Sequence, residues 1–477
     1  MNGESLILLA IFVPVLGSFL LPVFGRISEN FRNIMAVLMI LTSMLCSFLL
    51  AGKVITGENI TVGFSQVLSM HYFYADKLAV FMALVSSIVG SIIVFYSTGY
   101  IKHYDNRNEY YFMVVLFLGS MMGIVYSRNL ITLYLFWEIT AIACWRLIGF
   151  FREKDHVIKA DKAFLVTVFG ALMMLIGFID IYGTAGSFDL GVLTHVHISN
   201  TAVILILFGI LSKSATLPLH TWLPDAGVAP SPVTALLHAA VLVKIGVYVF
   251  ARLFVATFVV DDVWHIVVPV IAGASALISA GAAMIETNMK RIIAYSTISQ
   301  IGFIFLGLSI GNEIGLAGGL LYILMHGMSK AGLFLCAGII EQQTHTKDIR
   351  EMGGLIKTLP ITAVSFIVCA FSVMGIPPLG GFFAKFMVIN GAVTSPHLWI
   401  AFVFLFGGIM TIVYLLRLFV MIFMGSPRTH HNVKEGSFSM VSSVAMLGIL
   451  SLLAGIFINY PADFVYATVQ QLMGVVK

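Results

Sequence analysis

Residues 211–248 read LSKSATLPLHTWLPDAGVAPSPVTALLHAAVLVKIGVY. The stretch starts inside an apolar helix, carries Lys213 into it, and is broken at Pro218, where the ring removes a backbone donor and clashes with the preceding turn. A polar turn with His220, Trp222 and Asp225 follows, and Pro230 and Pro232 then open a second apolar helix bearing His238 and Lys244. A lysine in mid-membrane costs about 2.5–3.5 kcal/mol to insert. Two of them in neighbouring apolar helices, one beside a proline break, point to function rather than packing.

The apolar character extends along the whole chain. Of 477 residues, 60% are hydrophobic and 10% charged, and the mean hydropathy is +1.02. A soluble protein carries about 25% charged residues, so the fold class is an all-α polytopic membrane protein. Taking about 20 apolar residues per crossing, about fourteen spans follow: 5–24, 31–52, 77–100, 110–127, 130–151, 163–183, 201–218, 231–254, 264–286, 291–310, 314–340, 361–392, 398–424 and 438–458. They form a single transmembrane domain, 1–458, with 459–477 as a short tail. The first span lacks the basic start and small-residue end of a cleaved signal. Residues 53–75 form a long loop expected to hold a short hairpin.

The seventh span breaks at Pro218 and the twelfth at Pro377–Pro378, and each carries a lysine, Lys213 and Lys385. Five spans separate them, so the two copies run in opposite directions. This is the inverted-repeat pattern with discontinuous helices near the midplane, here expected over residues 110–254 and 264–424.

Fifteen of the 26 basic residues fall in loops after odd-numbered spans, among them Arg152, Lys154, Lys290, Arg291, Lys347 and Arg428. Five fall on the opposite face: Lys53, Lys77, Arg128, Arg252 and Lys477. The positive-inside rule then places the first set in the cytoplasm and both termini outside the cell membrane. Six remain inside spans: Arg146, Lys213, Lys244, Lys330, Lys385 and Arg417. The net charge of +4, spread over short loops, gives no support for nucleic-acid binding.

Cys46, Cys144, Cys336 and Cys369 lie apart in apolar runs, whereas iron–sulfur and structural zinc sites need clustered thiolates. No glycine-rich phosphate loop follows a strand. No catalytic residue, metal ligand or cofactor is therefore expected here, and any redox centre belongs to another chain.

The buried ionisable groups read as a proton relay. Glu138, in LYLFWEITAIACW, is expected to pair with Lys213 and tune its proton affinity, since a nearby opposite charge favours the charged form and burial disfavours it. The plain alternative is a static clamp between helices. Lys213, Lys244 and Lys330 are relay candidates, bridged by His238 and by His326, which shares a helix face with Lys330 at i, i+4. For each histidine alone, a hydrogen bond to a neighbouring helix is an equal account. Lys385, after the Pro377–Pro378 break, is placed toward the outer surface, where snorkelling is the alternative. Arg146 and Arg417 cannot release a proton and are read as structural.

LSKSATLPLHTWLPDAGVAPSPVTALLHAAVLVKIGVYVFARL resembles the central signature of the antiporter-like subunits of respiratory complex I, shared with Mrp-type cation/proton antiporters and membrane-bound hydrogenases. NMKRIIAYSTISQIGFIFLGL, LMHGMSKAGLFLCAG and GIPPLGGFFAKF look like its later motifs, and FWEITAIACWRLIGF resembles the largest of those subunits, although Arg146 stands where an apolar residue is expected. The resemblance covers residues 5–458. It implies that Glu138, Lys213, His238, Lys244, His326, Lys330 and Lys385 are the relay, and that the chain works beside other membrane subunits and a peripheral redox arm, moving H+, with Na+ as the other candidate ion. The long lateral helix of the largest complex I subunit is not expected within this sequence. The rival readings are an Mrp-type Na+/H+ antiporter subunit without a redox partner and a membrane anchor for a peripheral catalytic subunit.

Overall fold

The computed structural model describes residues 2–63, 71–396, 398–427 and 433–474. Arg428 and Lys477, both used in the charge count, lie outside them, as does the tip of the expected hairpin. Its two strands pair antiparallel, Ile60–Gly63 against His71–Ala75, with Ile60 opposite Ala75.

Among the described residues, everything else of length is helix. The helices are α1 (Gly3–Ser18), α2 (Leu21–Ile27), α3 (Glu29–Ile55), α4 (Lys77–Tyr100), α5 (Arg107–Tyr126), α6 (Leu130–Ile148), α7 (Lys154–Ala185) and α8 (Asn200–Lys213). They continue with α9 (Ser231–Val255), α10 (Trp264–Ile285), α11 (Met289–Leu308) and α12 (Glu313–Thr344). The last five are α13 (Pro360–Met374), α14 (Gly380–Val393), α15 (Leu398–Phe423), α16 (Phe438–Ile456) and α17 (Asn459–Leu472). Several starts are set by a polar N-cap that satisfies an otherwise orphaned donor. Asp76, Asn129, Ser199, Asn288 and Asn312 each accept from an amide two or three residues on.

Among the described residues, eleven helices are long and apolar enough to cross a bilayer, or twelve if α1 and α2, bent by 54°, count as one. The expected fourteen is not reached by that measure, because two expected spans are cut short. The seventh ends at Lys213, five residues before Pro218, and the twelfth divides into α13 and α14. Ala215 has φ +50° and the Leu217–Pro218 and Pro377–Pro378 bonds are cis. The expected tail also differs, since most of it is α17.

The helices sort by depth. The apolar stretch of α9 is buried all round, and those of α12 and α11 are 94% and 89% buried, whereas α7 and α15 reach only 39%. A helix apolar on every side belongs at the centre of the bundle, and all but one of the expected relay residues sit on central or broken helices. Close approach makes this possible at Gly246, two residues after Lys244. A Cβ there would lie 2.6 Å from the Ile210 carbonyl oxygen and 2.9 Å from the Ser214 Cβ. The absent side chain lets α9 rest on the last turn of α8. Gly246→Ala is accordingly expected to cost about 1–3 kcal/mol, seen as a lower melting temperature of the detergent-solubilised protein.

Helix α9 is not regular. Val241 N–H donates to the Leu236 carbonyl at 3.0 Å, and Ala256 N–H to Ala251 at 3.1 Å, both i to i+5. These are π turns; the first contains His238 and the second Arg252.

A buried lysine–histidine chain as the candidate functional site

The last turn of α8 leaves carbonyls without intrahelical partners. Trp222 Nε1–H closes one of them, donating to Ser212 at 3.0 Å. Beside it Lys213, fully buried, donates to the Trp137 carbonyl at 3.1 Å and lies 5.3 Å from that indole's centroid. The expected ion pair with Glu138 is not formed. Glu138 Oε1 is buried without a hydrogen-bond partner, although the carboxylate is within Coulombic range of the lysine. Helix α6 presents a main-chain oxygen, one residue earlier, instead of the carboxylate.

At the second break the lysine follows the break. Lys385 Nζ donates to the Val373 carbonyl at 2.6 Å and the Met374 carbonyl at 3.4 Å, which places an ammonium on the negative end of α13. Gly375 (φ +86°) ends that helix, and a Cβ on it would lie 2.9 Å from Lys385 Cδ.

Between the breaks, Lys244 Nζ and His326 Nδ1 are 2.7 Å apart across α9 and α12. At that distance one of the two nitrogens must lack a hydrogen, so the pair shares a proton site and cannot hold two cations in this geometry. His326 also lies within Coulombic range of Lys330, His238 and Lys385. Lys330 Nζ donates to Ser296 Oγ at 2.5 Å and to the Ile293 carbonyl at 3.3 Å. His238 stands apart from any polar partner: both ring nitrogens are unpartnered and the ring lies 4.4 Å from Phe334.

The structure adds members that sequence reasoning missed. Ser296 Oγ is 2.7 Å from Tyr414 Oη, Gln300 Nε2 donates to Tyr414 and Thr411, and Tyr322 Oη donates to Gln300 Oε1 at 2.5 Å. Lys385 Nζ lies 5.6 Å from the Tyr322 ring. A hydrogen-bonded seam thus runs from Lys330 through Ser296, Tyr414 and Gln300 to Tyr322, whose ring faces the Lys385 ammonium. Tyr322, His326 and Lys330 recur every four residues on α12, and Ser296 and Gln300 do so on α11. That periodicity was the available signal.

Arg146 and Arg417, read as structural, make structural contacts: Arg146 bonds Glu109 together with Arg152, and Arg417 donates to the Met284 carbonyl. Lys290 and Arg252, counted with the loops, are 1% and 3% exposed, and each is ion-paired, with Glu341 and Asp76 respectively. At the turn after α8, burial of Asp225 is outweighed by hydrogen bonds from Lys162 and Arg291, which hold its carboxyl below the usual range.

A bundle with two broken helices and a buried row of ammonium and imidazole groups between them defines an integral membrane protein of antiporter-like fold. Residues 127–411 match the family described as NADH:quinone oxidoreductase/Mrp antiporter, TM, and residues 67–112 match the N-terminal segment of NADH-ubiquinone oxidoreductase (complex I) chain 5. The chain belongs to the NADH:quinone oxidoreductase/Mrp antiporter membrane family. It is 31% identical to Na(+)/H(+) antiporter subunit A1 of Staphylococcus haemolyticus over 95% of its own length and 61% of that protein's. It is 32% identical to F(420)H(2) dehydrogenase subunit L of Methanosarcina mazei over 95% and 74% of the two chains. The chain spans about three fifths of the antiporter subunit A1 it matches. The Mrp complex of a Dietzia species contains a chain of the same fold (TM-score 0.90, 23% identity, 99% and 98% covered). So does a membrane-bound sulfane sulfur reductase (TM-score 0.88, 23% identity, 98% of both chains).

Proposed function

We propose that this chain is the proton-translocating membrane subunit of a multi-subunit, redox-driven ion pump. The carrying observation is the 2.7 Å contact between Lys244 and His326. Among the described residues, Lys213, Lys244, Lys330 and Lys385 bond carbonyls, a hydroxyl and an imidazole, while the buried salt bridges join Arg252–Asp76 and Lys290–Glu341. A static clamp would pair the ammonium groups with carboxylates, since an unpaired buried charge is costly. Groups that share protons with neutral partners suit a relay.

In this reading a partner subunit moves Glu138 toward or away from Lys213. At an effective dielectric near 20, a charge pair at 4 Å is worth about 4 kcal/mol, roughly three pKa units, which is enough to switch the lysine between loaded and empty. The proton passes through Lys244, His238 and His326 to Lys330, along the seam to Lys385, and out. The two breaks, each with a buried lysine, support two inverted units over 110–254 and 264–424. The lysine- and arginine-rich loops support a cytoplasmic placement for that face and an outward one for both termini.

Lys213→Ala and Glu138→Gln are each expected to lower proton pumping at least about tenfold in membrane vesicles, as for removal of a positioned proton-transfer group. Unchanged pumping in both variants defeats the reading.

The antiporter relatives favour a second reading, Na+/H+ exchange without a redox partner. The ionisable groups along the path are mainly ammonium and imidazole nitrogens, however, whereas hard cations are held by oxygen, and this favours H+ as the ion on this path. Sodium-dependent transport in proteoliposomes with no electron donor would support exchange.

A further inference from the structure

A cavity of about 590 Å³ lies apart from the relay, at the face rich in basic loops. Its lining includes Tyr100, His103, Tyr104, Glu341, His345 and Lys347. At its floor Lys290 Nζ meets Glu341 Oε2 at 2.5 Å and donates to the Ala229 carbonyl at 3.2 Å, while Lys347 reaches Glu341 Oε1 at 3.1 Å. Ser231 Oγ donates to Glu341 Oε2 at 3.2 Å. Ser231 opens α9, and Thr234 and His238 follow it at i+3 and i+7, His238 lying within the first π turn, a stripe that the π turn rotates slightly. At the other end of that stripe is His238, 0% exposed with two unpartnered nitrogens.

A neutral imidazole carries one donor and one acceptor, and buried polar groups left unpaired call for a water or an exchangeable partner. The neighbouring packing holds the other end of the stripe in place. A Cβ on Gly338 would lie 2.6 Å from both Ser231 Cβ and Tyr96 Oη, so only glycine lets α12 seat Glu341 against Ser231. Glu341 is thus faced by Lys290 from α11, Lys347 from the loop after α12, Ser231 from α9 and the tyrosines of α4, with His103 and His345 among the cavity residues.

We propose that the Lys290–Glu341 pair is the gate through which protons enter the relay from this cavity. Glu341 takes a proton from a hydronium ion in the cavity, which becomes water, and the neutral acid loosens its hold on Lys290, which keeps its bond to the Ala229 carbonyl. The acid proton then passes to Ser231 Oγ as the hydroxyl's own proton leaves through water to His238. Glu341 is again a carboxylate and re-forms the pair, so the gate is back at its starting charge and the positive charge that entered as hydronium now sits on His238 as imidazolium, to be passed along the relay. The inference rests on the proton-relay reading.

The test uses membranes carrying the full chain in its native complex, with proton uptake from the basic-loop side followed by a pH dye. Glu341→Gln is expected to slow uptake about tenfold at about pH 8, with the deficit narrowing toward about pH 6, where bulk protons load the path directly. Glu341→Asp is expected to restore most of the rate. Ser231→Ala, which removes no charge, is expected to slow uptake similarly and carries the test if Glu341→Gln fails to accumulate. A Glu341→Gln deficit that does not change with pH, or normal uptake in Ser231→Ala, overturns the gate. If Lys330→Met abolishes translocation while the gate variants are normal, the gate alone fails. If Lys330→Met translocates normally, the relay and the gate fall together.

Discussion

Lys330→Met is expected to abolish proton translocation, by at least about a hundredfold, while leaving the protein as stable as before or more so. The two halves of that outcome have different causes. Lys330 is fully buried, and its ammonium bonds Ser296 Oγ and the Ile293 carbonyl, neither of which is charged. Replacing such a group by an apolar side chain of similar length removes a desolvation cost, which is often neutral or stabilising. It also removes the proton carrier between His326 and the Ser296–Tyr414–Gln300 seam. Lys330→Arg separates charge from proton exchange, because guanidinium keeps its proton in proteins; it too is expected to be inactive. Proton pumping and melting temperature measured on the same preparations check the prediction. A Lys330→Met variant that pumps normally would remove the central link.

Asp76→Asn is expected to have the largest effect on stability. Arg252 is 3% exposed, its guanidinium makes two 2.7 Å bonds to the Asp76 carboxylate, and the rings of Tyr74 and Tyr248 lie 4.8 and 5.5 Å from it. Asparagine keeps the N-cap of α4 but strands the guanidinium, at about 3–5 kcal/mol. Asp76→Asn/Arg252→Met removes both charges and is expected to recover much of that loss. Melting of the detergent-solubilised protein, wild type against single and double variants, measures it. A single variant that melts with the wild type would mean that water already reaches the pair.

Not all of the site was legible beforehand. Lys213, His238, Lys244, His326, Lys330 and Lys385 stand out because each is an ionisable residue in an apolar run, and the cost of inserting it is set largely by its own chemistry. Glu138 stands out for the same reason, yet Lys213 bonds the neighbouring Trp137 carbonyl rather than its carboxylate. Spacing along α6 puts Trp137 and Glu138 one residue apart but does not say which of the two faces α8 at the height of Lys213. Lys290 and Arg252 read as loop residues because they lie at the ends of apolar runs, and the carboxylates that draw them inward are 51 and 176 residues away in sequence.

From the chain alone come the all-α membrane class, the approximate spans, the strands of the hairpin, the two proline breaks and the identity of the ionisable residues. Each follows from a sum over near neighbours: hydropathy over one bilayer thickness, or one turn around a proline. The Lys244–His326 contact, the seating of Lys385 on the end of α13, the separation of Glu138 from Lys213 and the cavity at Glu341 were decided only by tertiary packing. They depend on how each helix is rotated and how closely it approaches the next, which missing Cβ atoms at Gly246, Gly338 and Gly375 and the π turn within α9 help to set. Single-helix periodicity contains neither.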